Sequence, residues 1–217
     1  MAARGSGAGE REFLVFAAAA GGRLLLTATL LTGESPRNRP VARRLLTDAL
    51  ARTYAVWARV SGEGDDPYDR TRAELVRGFL RALRLRRVLG PAKAAGIGGP
   101  LGELRPLARA ALVLRLHEGI DTERTAMLLG CGTARVEALT AGAARRFAAG
   151  AGPQCEAEAR RVLGALPVPV VPAGLADAAV GAGRRLRRAM AWRRALAAAA
   201  FLTGAGAAAA AATGLWR

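Results

Sequence analysis

Apolar positions along this chain recur mostly at three- and four-residue steps, the spacing that gathers side chains on one face of an α-helix. Phe13, Phe16, Ala20, Leu24, Thr27 and Leu31 share such a face, which predicts a helix from Glu10 to Thr32 behind a disordered start at residues 1–9. Gly33 stops it, and "ESPRNRP" is a loop whose Pro40 suits the first turn of a second helix running to about Val60. Leu46, Leu50, Thr53, Trp57 and Val60 form the stripe of that helix. The acidic loop "SGEGDDP" leads to a third, Pro67 to about Leu89, with Tyr68, Leu75, Phe79 and Leu83 facing inward.

A Gly/Pro/Ala stretch, "GPAKAAGIGGPLG", then interrupts the pattern and marks a linker at residues 90–103. Three shorter helical patterns follow: Leu104 to Glu118, Thr122 to Leu129, and Thr133 to about Phe147. Asp121 or Thr122 can cap the middle one, and Gly130 supplies a sharp turn before the last. A soft segment, "AAGAGPQ", leads to a short helix with Arg160 and Arg161, and "LPVPVVPAG" reads as an extended spacer. The composition agrees, being 52% apolar but only 5% aromatic, so alanine and leucine supply the core and helices are favoured. The predicted fold class is all-α. Two small helical domains, 10–89 and 104–150, are joined by a flexible linker and followed by a segment at 151–183 and a single C-terminal helix.

Charge changes the picture at the C-terminus. Of 33 basic and 17 acidic residues, residues 184–217 hold seven arginines and no acid, whereas 90–183 hold 10 basic and 8 acidic. The net charge of +16 calls for a polyanion, either nucleic acid or an anionic membrane surface. The basic flank 184–194, "RRLRRAMAWRR", precedes 195–216, 22 residues without charge. As a helix this would span about 33 Å, enough for a hydrocarbon core. Arginines on its N-terminal side predict cytoplasmic domains anchored in the inner (plasma) membrane, with Trp192 and Trp216 near the two interfaces. The other reading is an Ala-rich helix lying on the protein or frayed in solution.

Candidate chemistry is sparse. Cys131, Cys155 and the lone His117 have no CxxC or HxxxC spacing, so no metal site and no cofactor is expected. No carboxylate pair, nucleophile–base set or phosphate-cradling loop appears, and the chain does not read as an enzyme. Arg70, Arg77, Arg81 and Arg84 line one face of the third helix, as polyphosphate contacts or as an ordinary solvated surface.

Two blocks carry a family resemblance. "REFLVFAAAAGGRLLLTATLLTGE" with "LLTDALARTYAVWARV" is similar to region 2, and "LRPLARAALVLRLHEGIDTERTAMLLGCGTARV" to region 4, of bacterial RNA polymerase sigma factors of the extracytoplasmic-function group in the sigma-70 superfamily. The resemblance implies promoter DNA and RNA polymerase core as partners, and an anti-sigma-type regulator as a third. The polymerase-docking face would then include Arg43, Arg44, Thr47 and Asp48. The last helix of region 4 would enter the major groove, offering Thr133, Arg135, Glu137, Leu139, Arg145 and Arg146, while Ala126, Leu129 and Val136 hold the helix pair together.

The polar surfaces depart from the family pattern. Where it opens the second helix of region 2 with D-A-E-D, this chain has Val41, Ala42, Arg43 and Arg44, which exchanges negative for positive charge at a docking surface. Glu137 and Leu139 stand where the family commonly puts cations. Two functions are therefore expected: a membrane-tethered transcription regulator with weakened DNA and polymerase surfaces, or a membrane-anchored interaction protein that uses the fold without directing initiation.

Overall fold

From Leu24 to Leu31 every residue of the first helix is buried, although its sequence pattern announces only one apolar stripe. A helix buried all round needs partners on all sides, and α1 (Ala3–Thr32) has them. On one side lie α2 (Pro40–Ala55) and α4 (Pro67–Leu89), and on the other α5 (Pro106–Leu112) with the π-helical turn Val113–His117. The computed structural model describes residues 3–35, 38–62, 66–89, 101–148 and 151–214, and among these it is all-helical with no strand. By length and composition alone, Gly7–Thr32 is apolar enough to cross a membrane (mean hydropathy 1.8). Its central apolar run is instead covered by neighbouring helices.

The predicted element order is present, with adjusted ends. α1 begins at Ala3 rather than Glu10. The second helix is divided at Val56, where φ is −119°, into α2 and the single turn α3 (Trp57–Val60). An aromatic cluster seals this corner. Phe13 meets Tyr54 at 4.9 Å and Trp57 edge-on at 5.2 Å, contacts worth about 0.5–1.5 kcal/mol each beyond area burial. Helices α2 and α4 run antiparallel, pinned by a Thr53–Thr71 hydroxyl hydrogen bond of 3.0 Å.

Most of the predicted linker, residues 90–100, lies outside the described residues. The helical groups on either side of it share one continuous apolar cluster, from Phe13 through Leu50 and Phe79 to Leu112, Leu129 and Leu163. α6 (Thr122–Leu129) and α7 (Thr133–Phe147) keep their predicted bounds, and α8 (Cys155–Gly164) carries Arg160 and Arg161.

The segment "LPVPVVPAG" is non-helical over 167–172 and packs into a notch in α1. A Cβ on Gly21 would stand 3.0 Å from Val171 Cγ2, and one on Gly22 only 2.8 Å from Val168 Cγ1. The final helix, α9 (Leu175–Gly214), starts ahead of the basic flank and runs through it. Its first turns bury Leu175, Ala179, Val180 and Gly183, chiefly along α2. A Cβ on Gly183 would overlap the Ala51 carbonyl oxygen at 2.6 Å, so the two helices touch backbone to backbone there. Arg187 stacks over the Tyr54 ring at 4.3 Å, and Arg184 pairs with Glu10. From Arg187 on, each described side chain is exposed, including Trp192. The side chains of 197–216, on which the expected membrane span rests, lie outside the described residues.

Candidate nucleic-acid interface

The helix pair α6–α7 is built by local rules. Asp121 caps α6 by accepting the Arg124 backbone N–H at 2.7 Å. Gly130 ends it in the left-handed region (φ +67°), which a side chain would resist, and Cys131 N–H closes back on the Ala126 carbonyl at 3.1 Å. Ala126, Leu129 and Val136 are buried between the helices, so the bend is held by both backbone and packing. Gly132 leaves the first turn of α7 without a side-chain cap or an acid.

On α7 the structure presents Thr133, Arg135 and Glu137 to solvent near the start and Arg145 and Arg146 near the end. These groups are spread over roughly 20 Å of helix, the rise of about thirteen residues. Leu139 differs from them, being half-buried and packed against the core. It serves the core more than the outer face.

The α4 arginines form a separate cluster organised by one carboxylate. Glu74 lies 2.5 Å from Arg77, 3.8 Å from Arg70 and 3.9 Å from Arg81, while Arg84 is exposed further along the helix. Part of the stripe's charge is thus neutralised within α4 itself.

On α2, Arg43, Arg44 and Asp48 are exposed, and Thr47 donates to the Arg43 carbonyl at 2.9 Å. Glu34 reaches back to cap this helix, accepting the Val41 and Ala42 backbone N–H groups at 3.0 and 2.7 Å. Arg44 and Asp48 border a groove between α2 and α4, and Asp48 also borders a smaller one between α2 and α9. Any partner of this face therefore meets α4 on one side and α9 on the other.

Between the two helical groups lies a polar network that the sequence pattern does not reveal. The Glu118 carboxylate accepts from Arg72 Nη1 at 3.1 Å, from the Tyr68 hydroxyl at 3.2 Å and from the Thr27 hydroxyl. Asp69 binds Arg72 at 2.6 Å and also pairs with Arg124 on α6. The π-helical turn precedes Glu118, whose N–H bonds to the Val113 carbonyl at 3.0 Å; this wider winding rotates the following residue away from α-helical register. Burial, then the adjacent Glu118 carboxylate, pushes the Tyr68 phenol up to about 12. His117 is held below its ordinary value by burial.

A second buried cation, Arg109, reaches the end of α1. Its guanidinium donates to the Leu31 and Thr32 carbonyls at 2.9 and 3.2 Å and to the Leu101 carbonyl at 3.1 Å. Those α1 carbonyls are the negative end of the helix dipole, which offsets a buried cation. Burial still pulls its pKa down to about 10. The only sequence signal for this role was a charge inside the apolar run "PLARAALVL". Compared with protein-family models, curated proteins and solved structures, this chain matches none.

Proposed function

We propose that the protein is a sigma-factor-like transcription regulator. It would bind promoter DNA through α7, with the α4 arginines as further contacts, and RNA polymerase core through α2. The two helical groups act as region 2-like and region 4-like units, and the C-terminal helix tethers them to the cytoplasmic side of the inner membrane. The observation that carries this reading is the α6–Gly130–α7 pair, in which Ala126, Leu129 and Val136 are buried while Thr133, Arg135, Arg145 and Arg146 stay exposed. A recognition helix needs that division: apolar contacts fix its angle, and polar groups remain for base edges and phosphates. Mixing the full-length protein, in mild detergent, with core polymerase should give co-elution and protection of a promoter fragment. Co-elution with neither polymerase nor DNA at low salt would sink the proposal. Carbonate extraction tests the tether, since an inserted chain stays in the membrane pellet.

A second reading is favoured by charge. Arg43 and Arg44 are exposed on α2, and Glu137 is exposed on α7. An interaction protein that binds an anti-sigma-type regulator needs neither a basic recognition face nor an acidic polymerase face.

A further inference from the structure

The α2–α4 groove has a volume of about 500 Å³ and combines an apolar floor with a charged rim. Leu45, Ala49 and Ala82 line its base, and Val41 and Leu85 stand exposed at its edge, Leu85 to 60%. It follows α2 from Pro40 to Arg52 and α4 from Glu74 to Leu85. At 1.5 Å per residue that is roughly 16–18 Å, the length of a three-turn helix. Gly78 brings α4 close to α2, since a Cβ there would stand 3.3 Å from Leu45 Cδ2. The floor is therefore shallow and continuous.

The rim is patterned. Arg44, Asp48 and Arg52 succeed one another at one-turn intervals on α2, all three exposed, and Arg81 faces them from α4. The carboxylate of Glu74 is occupied by Arg77, with Arg70 and Arg81 close by. We infer that the groove receives an amphipathic helix of an acidic partner protein, with an apolar stripe on the floor and carboxylates opposite Arg44, Arg52 and Arg81. A lysine or arginine between the two carboxylates would meet Asp48.

Other occupants fit less well. A phosphate backbone offers nothing to Val41 and Leu85, and it is repelled by Asp48. This chain's own tail carries no acidic residue after Asp177, so it lacks the complementary charge. The inference goes beyond the promoter reading and can hold without it, although both draw on Arg44, Asp48 and Arg81.

The test uses full-length protein in mild detergent and two labelled helical peptides of sixteen residues. Both carry a leucine stripe at i, i+3, i+4 and i+7. One has Glu, Lys and Glu at one-turn spacing on its flank in an acidic background, and the other has every charge reversed. Fluorescence anisotropy at low salt should show the acidic peptide binding at least tenfold tighter. The double variant Arg44→Glu with Arg52→Glu should lose that preference, and Leu85→Lys should weaken binding several-fold. All three positions are exposed, so folding is preserved and circular dichroism checks it. Equal binding of both peptides, or unchanged binding by the variants, overturns the inference. So does displacement of the acidic peptide by duplex DNA, or self-association that the same variants abolish. Polymerase co-elution is read in parallel on the parent protein and on Leu85→Lys, which lies outside the α2 residues assigned to polymerase. Co-elution retained by Leu85→Lys alongside weakened peptide binding separates the groove from the transcription reading, and a parent protein that binds the acidic peptide but does not co-elute removes only the latter.

Discussion

The Arg72 guanidinium meets the Glu118 carboxylate at 3.1 Å, with the two side chains only 9% and 3% exposed. This pair joins α4 to the end of the π-helical turn and so couples the two helical groups through charge as well as apolar packing. Two ions removed from water are a net gain only when further hydrogen bonds satisfy them. Tyr68 and Thr27 supply those bonds to Glu118, and Asp69 supplies one to Arg72.

Removing one partner should therefore be costly. Glu118→Leu is expected to lower unfolding free energy by about 3 kcal/mol, the range for a broken buried pair. Arg72→Met should behave similarly, and the double variant should lose clearly less than the two losses combined. Denaturant titration of the four proteins gives the coupling. Single losses below about 1 kcal/mol would mean that the pair is screened like a surface bridge.

Arg109 makes a sharper distinction between charge and geometry. Its donors are spread over carbonyls of Leu31, Thr32 and Leu101, a reach that a planar fork has and an ammonium lacks. Arg109→Lys keeps the charge and should still cost about 2 kcal/mol, because charged hydrogen bonds are lost while the carbonyls stay buried. A lysine variant as stable as the parent would show that the dipole alone holds the site.

Two helical glycines should respond to alanine with opposite signs. At Gly142 in α7 a Cβ meets nothing within 4 Å, so Gly142→Ala should stabilise by about 0.5–1 kcal/mol through helix propensity. At Gly22 the added methyl would press on Val168 at 2.8 Å and on the Pro169 carbonyl oxygen at 3.2 Å. Overpacking of about 1–3 kcal/mol should outweigh the propensity gain there. Thermal unfolding of the two variants should bracket the parent; a rise in both would show that the proline-rich segment does not sit in the notch.

The same glycines show where the sequence was legible. Gly130 was readable because a helix end is a local event: apolar spacing stops, and one residue takes positive φ. The bounds of α4, α6 and α7 were readable for that reason. Gly21 and Gly22, by contrast, look like an interruption of an apolar run, and only the folded chain reveals the segment they admit from 168–171. Arg72 and Glu118 lie 46 residues apart, with no periodicity to link them. The early start of α9 was hidden because alanine and glycine dominate 175–183, and its fit to α2 depends on Gly183 meeting Ala51. The candidate DNA residues on α7 came from the family resemblance and not from periodicity. Leu139 was named among them, and packing puts that residue partly into the core.

Acid should weaken the fold partly through His117, the one histidine of the chain. Burial holds its pKa below 6.5, so the unfolded chain takes up this proton before the native state does. Its contribution is complete above about pH 6.5 and declines as pH falls through the lower native value. His117→Gln should thus narrow the gap between unfolding midpoints measured at pH 7.5 and pH 5.5. An unchanged gap would mean that the imidazole is as accessible to protons in the native state as in the unfolded one.

Glu137 gives the most direct test of α7 as a DNA reader. It is exposed on the same helix as Arg135, Arg145 and Arg146, and its carboxylate has no partner among the described residues. A carboxylate near phosphates repels them, and a cation there releases a counterion. Glu137→Lys should tighten binding to duplex DNA about tenfold at low salt and steepen the dependence of log K on log salt by close to one ion. Arg145→Ala and Arg146→Ala should each flatten that dependence by a similar amount. If Glu137 instead accepts a hydrogen bond from a cytosine amine, Glu137→Lys will lose affinity for a selected sequence and gain it on random duplex. Indifference of binding to all three substitutions would place DNA elsewhere on the protein and leave α7 as a packing element.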